Sequence, residues 1–208
     1  MTARAIASRR ERAPAATPAP ARRHLSVDAR GAVALARQVA SPNHDARPEG
    51  PAVSLVVVHG ISLPPGEFGG DGIERLFTNR LDASAHPAFA AVAPLRVSAH
   101  FLVRRDGALL QFVRCADRAW HAGVSAWNGQ PRCNDYSIGI ELEGTDEIPY
   151  APAQYAMLAR LAKALRRRYP ITDIVGHSDI APGRKTDPGP AFDWARLRRL
   201  AAPAPSRK

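Results

Sequence analysis

Apolar side chains follow two rhythms along this chain. In Pro152–Tyr169 they recur at helical spacing, with Tyr155, Leu158, Leu161, Ala162 and Leu165 on one face, the pattern of an amphipathic helix. The basic last turn, Arg166 to Arg168, suits the negative end of a helix dipole, and Pro170 stops the run. Tyr136–Leu142 alternates instead. Ile138, Ile140 and Leu142 share one face and Ser137, Gly139 and Glu141 the other, which predicts a strand. Val53–Val58 is a compact, β-branched run after a Pro/Gly turn and predicts a buried central strand ending at His59. Arg96–Arg104 and Ala108–Val113 flank Asp106–Gly107, a hairpin signature. GIERLFTNRL carries helical spacing at Ile73, Leu76 and Phe77, after the Gly/Pro-rich loop ISLPPGEFGGDG. Asp28–Ala40 is alanine-rich and opens on a capping residue, predicting a short helix stopped by SPNHDARPEGP. Ile171–Gly176 reads as a short strand and Phe192–Leu200 as a final helix. These elements predict an α/β fold: a single domain over residues 28–201, with a mixed central β-sheet flanked by helices.

Length agrees with one domain, since 208 residues leave no room for two full enzyme domains. No apolar run approaches the roughly 18–20 residues of a membrane span. The net charge of +10 would suggest nucleic acid as a partner, but its location argues otherwise. Residues 1–30 hold 7 basic and 2 acidic side chains, residues 195–208 hold 5 basic and none acidic, and 17 of each sign remain between them. The body of the protein is neutral, so no obligatory nucleic-acid partner is expected. Residues 1–27 form a basic Ala/Pro/Arg-rich extension, expected to be disordered, and 202–208 a frayed tail. The extension lacks the hydrophobic stretch of a secretory signal. Cys115 and Cys133, the only cysteines, sit in no metal-ligand spacing and read as small apolar side chains, which fits a reducing cytoplasm.

Five groups lie where strands end or loops begin: His59, Glu141, His177, Lys185 and Asp187. Two imidazoles and a carboxylate are a three-ligand set suited to a catalytic Zn²⁺ that keeps a fourth position open. Asp187 precedes Pro188 and Gly189, a rigid turn that can present a carboxylate. Metal-assisted amide hydrolysis also needs a base for the attacking water and an electropositive group for the oxyanion, types that Glu141 and Lys185 supply. Taken singly, each of the five also reads as an ordinary turn, core or surface residue. His100 and His121 read as packing or ligand-supporting residues.

The segments VVVHGISLPPGEFGG, LRVSAHFLVRRDG, RAWHAGVSAWNG, RCNDYSIGIELEGTD and VGHSDIAPGRKTDPGPAFDWARL together resemble the zinc-dependent N-acetylmuramoyl-L-alanine amidases of the type 2 family. The likeness runs from about Ala36 to Leu197. It implies a peptidoglycan-recognition-protein-like amidase fold, and one Zn²⁺ on His59, His177 and Asp187 with Glu141 and Lys185 catalytic. It further implies substrate contacts at Arg96, Trp120, Arg132 and Ala181. The implied substrate is a muropeptide, cut between (1,6-anhydro)-N-acetylmuramic acid and L-alanine by a monomeric enzyme of cytoplasmic cell-wall recycling. A non-catalytic recognition module would, by the family's pattern, lack one or more ligands, and this chain keeps all three. One departure is visible: the pattern has Asn after the first histidine, and here Gly60 follows His59.

Overall fold

A computed structural model describes residues 25–202; the expected extension up to residue 24 and the tail from 203 lie outside them. In chain order the elements are β1 (Arg37–Gln38), β2 (His44–Ala46), β3 (Leu55–Ile61), α1 (Gly72–Phe77), β4 (Phe101–Val103) and β5 (Leu109–Gln111). There follow β6 (Asp117–Ala119), β7 (Ala126–Trp127), β8 (Gln130–Pro131), β9 (Ser137–Glu143), α2 (Pro152–Arg168), β10 (Asp173–Gly176), α3 (His177–Ile180) and α4 (Trp194–Ala201). Six strands make one mixed sheet in the order β1-β5-β4-β9-β3-β10, in which β4–β5 is the antiparallel pair and the other pairs are parallel. The Asp106–Gly107 hairpin and the α/β architecture are therefore as the sequence predicts.

The apolar-polar rhythm explains the layers. Val56, Val58, Ile138, Ile140, Leu142, Phe101 and Val103 pack on one face against Tyr155, Leu158, Leu161 and Leu165 of α2 and Leu197 of α4. The opposite face is covered in two patches, Leu102 and Leu110 under α1, and Leu55, Val57 and Val175 under Ile180 and Tyr136. All seven residues of β9 are buried, so its polar positions face a second covering layer rather than water. Gln154 in the first turn of α2 joins helix to sheet: its amide nitrogen donates to the carbonyls of Val103 (3.2 Å) and Glu143 (3.0 Å).

The expected helix over Asp28–Ala40 does not form. Asp28 Oδ1 accepts from the backbone N–H groups of Arg30 and Ala32, closing a turn in place of capping a helix. Gly31 stands at φ +80°, and a Cβ there would lie 2.5 Å from the Cys115 backbone nitrogen. The chain then bridges Val27 to Val33 and enters the sheet as β1. The packed chain also starts earlier than Asp28: Leu25 is buried in the main core, and its carbonyl accepts from Arg167. The run 96–104 narrows to a three-residue strand: Ser98 N–H turns away to the Trp120 carbonyl, and His100 N–H alone continues toward β9, at the Gly139 carbonyl.

Candidate metal centre and active site

Parallel pairing puts the chemistry in one row. His59 of β3 is the register partner of Glu141 on β9, and Glu141 is in turn the partner of Leu102 on β4. β10 runs beside β3 with Gly176 opposite Val58, so His177, the next residue, emerges next to His59. Residues 118 apart are thus brought to one strand end. Asp187 arrives from the turn after α3, where its own carbonyl accepts from Ser178 N–H at 3.0 Å.

Among the described residues, His59, His177 and Asp187 form a group able to hold a metal ion. His59 Nδ1 lies 3.0 Å from His177 Nδ1 and 3.2 Å from Asp187 Oδ2, and His177 Nδ1 lies 3.1 Å from the same oxygen. Tetrahedral coordination with bonds of about 2.0–2.1 Å would set the donors about 3.3–3.4 Å apart, so this near-equilateral triangle has the right size. The far side of each ring fits as well. His177 Nε2 faces the Ala122 carbonyl at 3.2 Å, an acceptor only, so the proton sits on Nε2 and the Nδ1 lone pair is free. His59 Nε2 meets His121 Nδ1 at 2.9 Å, and His121 Nε2 meets Ser137 Oγ at 3.1 Å, a relay that can hold the other ring in the same tautomer. With both rings in that tautomer, two lone pairs and a carboxylate oxygen converge on one point, an arrangement suited to a metal cation. Burial pushes His59 down to about 4, so it is neutral and ligand-ready at neutral pH. Burial alone would raise Asp187, but its contacts with His177 and His59 hold it well below the usual carboxylate range.

Glu141 is buried beside this triangle with Oε2 making no hydrogen bond. Burial drives its carboxyl well above the ordinary range, Asp187 adds to the rise, and Lys185 opposes it. Lys185 is exposed on the rim, where its backbone N–H bonds to the Ala181 carbonyl at 3.1 Å. A cleft of about 240 Å³ joins these groups, lined by His59, Glu141, His177, Lys185 and Asp187 together with Trp120, Leu95 and Val97. A larger cavity of about 580 Å³ lies beside Phe68, but its Arg104, Glu74 and Glu143 are already paired to one another.

Three comparisons bear on this arrangement. A family model of N-acetylmuramoyl-L-alanine amidases matches residues 49–190, which includes all five groups. The chain belongs to that amidase family. Its curated relatives include the 1,6-anhydro-N-acetylmuramyl-L-alanine amidase AmpD of Citrobacter freundii, 58% identical over 176 residues that span 84% of this chain and 94% of the relative. A crystal structure of a selenomethionine derivative of AmpD superposes with a TM-score of 0.82 at 58% identity, covering 85% of this chain and 99% of the other. The amidase AmiD of Escherichia coli, solved with its substrate anhydro-N-acetylmuramic acid-L-Ala-D-γ-Glu-L-Lys, shares 30% identity at a TM-score of 0.53, covering 86% of this chain and 66% of that one.

Of the substrate contacts implied within this amidase family, the structure brings Trp120 into the cleft. Ala181 is buried and does not line the cleft; its carbonyl accepts from Lys185 N–H in the turn that presents the lysine. Arg96 and Arg132 do not line the cleft: Arg96 is exposed and folded against the carbonyls of residues 93–95, and Arg132 pairs with Asp135 at 3.0 Å. Sequence reasoning left two supporting residues without a role. Arg47, on no strand, threads its guanidinium among the carbonyls of Cys115, Asn134, Asp135 and Ser137. Tyr150 is buried with its hydroxyl 3.0 Å from the Pro188 carbonyl, and burial, with Glu141 next, raises its phenol so that the proton stays available to donate. Neither carries a sequence signal, because each acts through a contact set only by the tertiary fold. His121 is found where a supporting role predicts, behind His59.

Proposed function

We propose that this protein is a zinc-dependent hydrolase of the amide bond between (1,6-anhydro)-N-acetylmuramic acid and L-alanine, working on soluble muropeptides in cytoplasmic cell-wall recycling. The observation that carries the reading is the triangle of His59, His177 and Asp187 donor atoms, 3.0–3.2 Å on a side, with the unpartnered Glu141 carboxyl beside it. The AmpD relatives support the substrate. Among the described residues no helix is long and apolar enough to cross a membrane.

His59, His177 and Asp187 would hold the zinc. When bound it supplies Lewis acidity, lowering the pKa of water at the site toward about 7 and drawing charge from the scissile carbonyl. Glu141 is the general base: its free oxygen accepts the proton of the attacking water and returns it to the leaving alanine amine. Its buried setting favours the protonated form, which makes the return step easy, while Lys185 helps the ionised form to exist. The Lys185 ammonium, on the cleft rim, faces charge developing on the carbonyl oxygen. Trp120 offers an aromatic wall to the sugar. Arg96, between the lining residues Leu95 and Val97, would have to leave the carbonyls of residues 93–95, and Arg132 its Asp135 partner, to take a substrate carboxylate, a group for which a guanidinium is well shaped. Ala181 acts through the turn that carries Lys185.

Two substitutions test the assignment of roles. His177→Ala should abolish tight zinc binding, because two ligands rarely hold the metal against water. Glu141→Ala should keep one zinc per chain yet lose about 10²-fold or more in kcat. Metal analysis beside the kinetics decides: full zinc in the first variant contradicts the ligand set, and near-normal turnover in the second moves the base elsewhere.

A further inference from the structure

Gly60 is where the chain departs from the family pattern, and the space beside it is filled. A Cβ on Gly60 would lie 2.3 Å from the Tyr150 hydroxyl oxygen and 3.5 Å from Pro188 Cα. A Cβ on Gly144, which continues the β3–β9 ladder by donating to the Ile61 carbonyl, would lie 2.4 Å from the same ring. The Tyr150 ring is therefore slotted between two bare backbone positions, with Phe192 edge-on at 5.5 Å. From that slot its hydroxyl donates to the Pro188 carbonyl at 3.0 Å. Gly60 follows the ligand His59 in sequence, and Pro188 follows the ligand Asp187.

Proline has no N–H, so the backbone at position 188 can be held only through its carbonyl. On the other side of the Asp187 side chain, the Asp187 carbonyl is held by Ser178 N–H, from the residue after His177. The aspartate is thus tied from both sides to the chain that bears the other two ligands. One tie is a backbone hydrogen bond; the other is a single phenol.

We infer that Tyr150 is a positioning residue for the metal centre: lodged against Gly60, its hydroxyl pins the Pro188 carbonyl and so fixes Asp187 relative to His59. The inference rests on the metal-site reading above. Tyr150 does not line the cleft, and acts on the spacing of the ligands. In this chain Gly60 leaves the space that the hydroxyl occupies, and a Cβ there would push the hydroxyl out of its present place. The same geometry makes the two residues dependent on one another, since the Gly60 Cβ position clears the ring carbon that bears the oxygen by 3.6 Å, an ordinary contact.

The test is a double-mutant cycle read as zinc affinity, by competition with a chelating dye on the full-length protein. Tyr150→Phe keeps the ring and removes the hydrogen bond; it should weaken zinc binding about 10- to 100-fold, the usual effect of losing a residue that orients a ligand. The melting temperature of the zinc-free protein should change little. Gly60→Ala should weaken zinc comparably in the native background, but add little in the Tyr150→Phe background, where the clashing oxygen is gone. Cobalt(II) put in place of zinc should show an altered visible spectrum in both single variants. Wild-type zinc affinity in Tyr150→Phe, or an equal cost of Gly60→Ala in both backgrounds, would overturn the inference while leaving the metal site intact. A wild-type protein that binds no zinc would instead overturn the metal-site reading beneath it.

Discussion

His59, His177 and Asp187 are drawn together with donor atoms in mutual contact, while Glu141 beside them is shut away from water with nothing to bond. Such a carboxyl costs stability whenever it must be ionised. Its folded-state pKa lies above its unfolded value near 4.5. Its contribution is therefore fully favourable below that unfolded value, and is lost as pH rises toward the folded one. In metal-stripped protein, Glu141→Gln should accordingly melt higher than wild type near pH 7, by about 2–4 °C for each kcal/mol relieved, with the gap closing near about pH 4. Calorimetry across that range checks it; a Glu141→Gln variant that melts lower at neutral pH would mean that the carboxylate is ionised and paired in the native state. All five candidate site residues were legible in the sequence as polar groups where strands end or loops begin. What no periodicity carries is their mutual distance, since the register of β3 with β9 and β10 sets it. For the same reason Tyr150 gained its role only from the fold, and the supporting role read for His121 gained its partner, His59, there.

At the scale of elements, long periodic segments declared themselves. The amphipathic α2, the alternating β9 and the hairpin of β4 and β5 form close to where their patterns lie. The Asp28–Ala40 segment did not, because a local Asp28 turn and a positive-φ Gly31 packed on Cys115 outweigh alanine's helix preference. Short strands that lack a pattern need other fastenings. Arg47 is one: through four carbonyls its guanidinium joins the chain after β2 to Cys115 before β6, to Asn134 and Asp135 before β9 and to Ser137 at the start of β9. Arg47→Met keeps much of the volume and strips those donors, so it should destabilise the fold by about 3 kcal/mol or more. Urea denaturation measures this, and a loss within about 0.5 kcal/mol, the range of a neutral surface change, would mean that water replaces the guanidinium without cost.

Over the whole molecule, one sheet serves two purposes. The α2 and α4 side buries the main core, while the other side and the C-terminal ends of β3, β9 and β10 carry the site. Loops at such ends are free to vary while the strands beneath them stay rigid. The position of the basic excess at the chain ends is plain from the sequence, but the start of the packed chain was not. Leu25 is a lone apolar residue next to an Arg-rich stretch, and only its place under Arg167 marks it as core. The central claim is that this scaffold performs metal-dependent cleavage of one bond, and mass spectrometry of an anhydromuramyl-tripeptide digest by the purified protein tests it most directly. The account predicts two products, anhydro-muramic sugar and intact tripeptide, lost on stripping the metal and restored by Zn²⁺. Cleavage within the peptide, or undiminished release of the same products from metal-free protein, would contradict it.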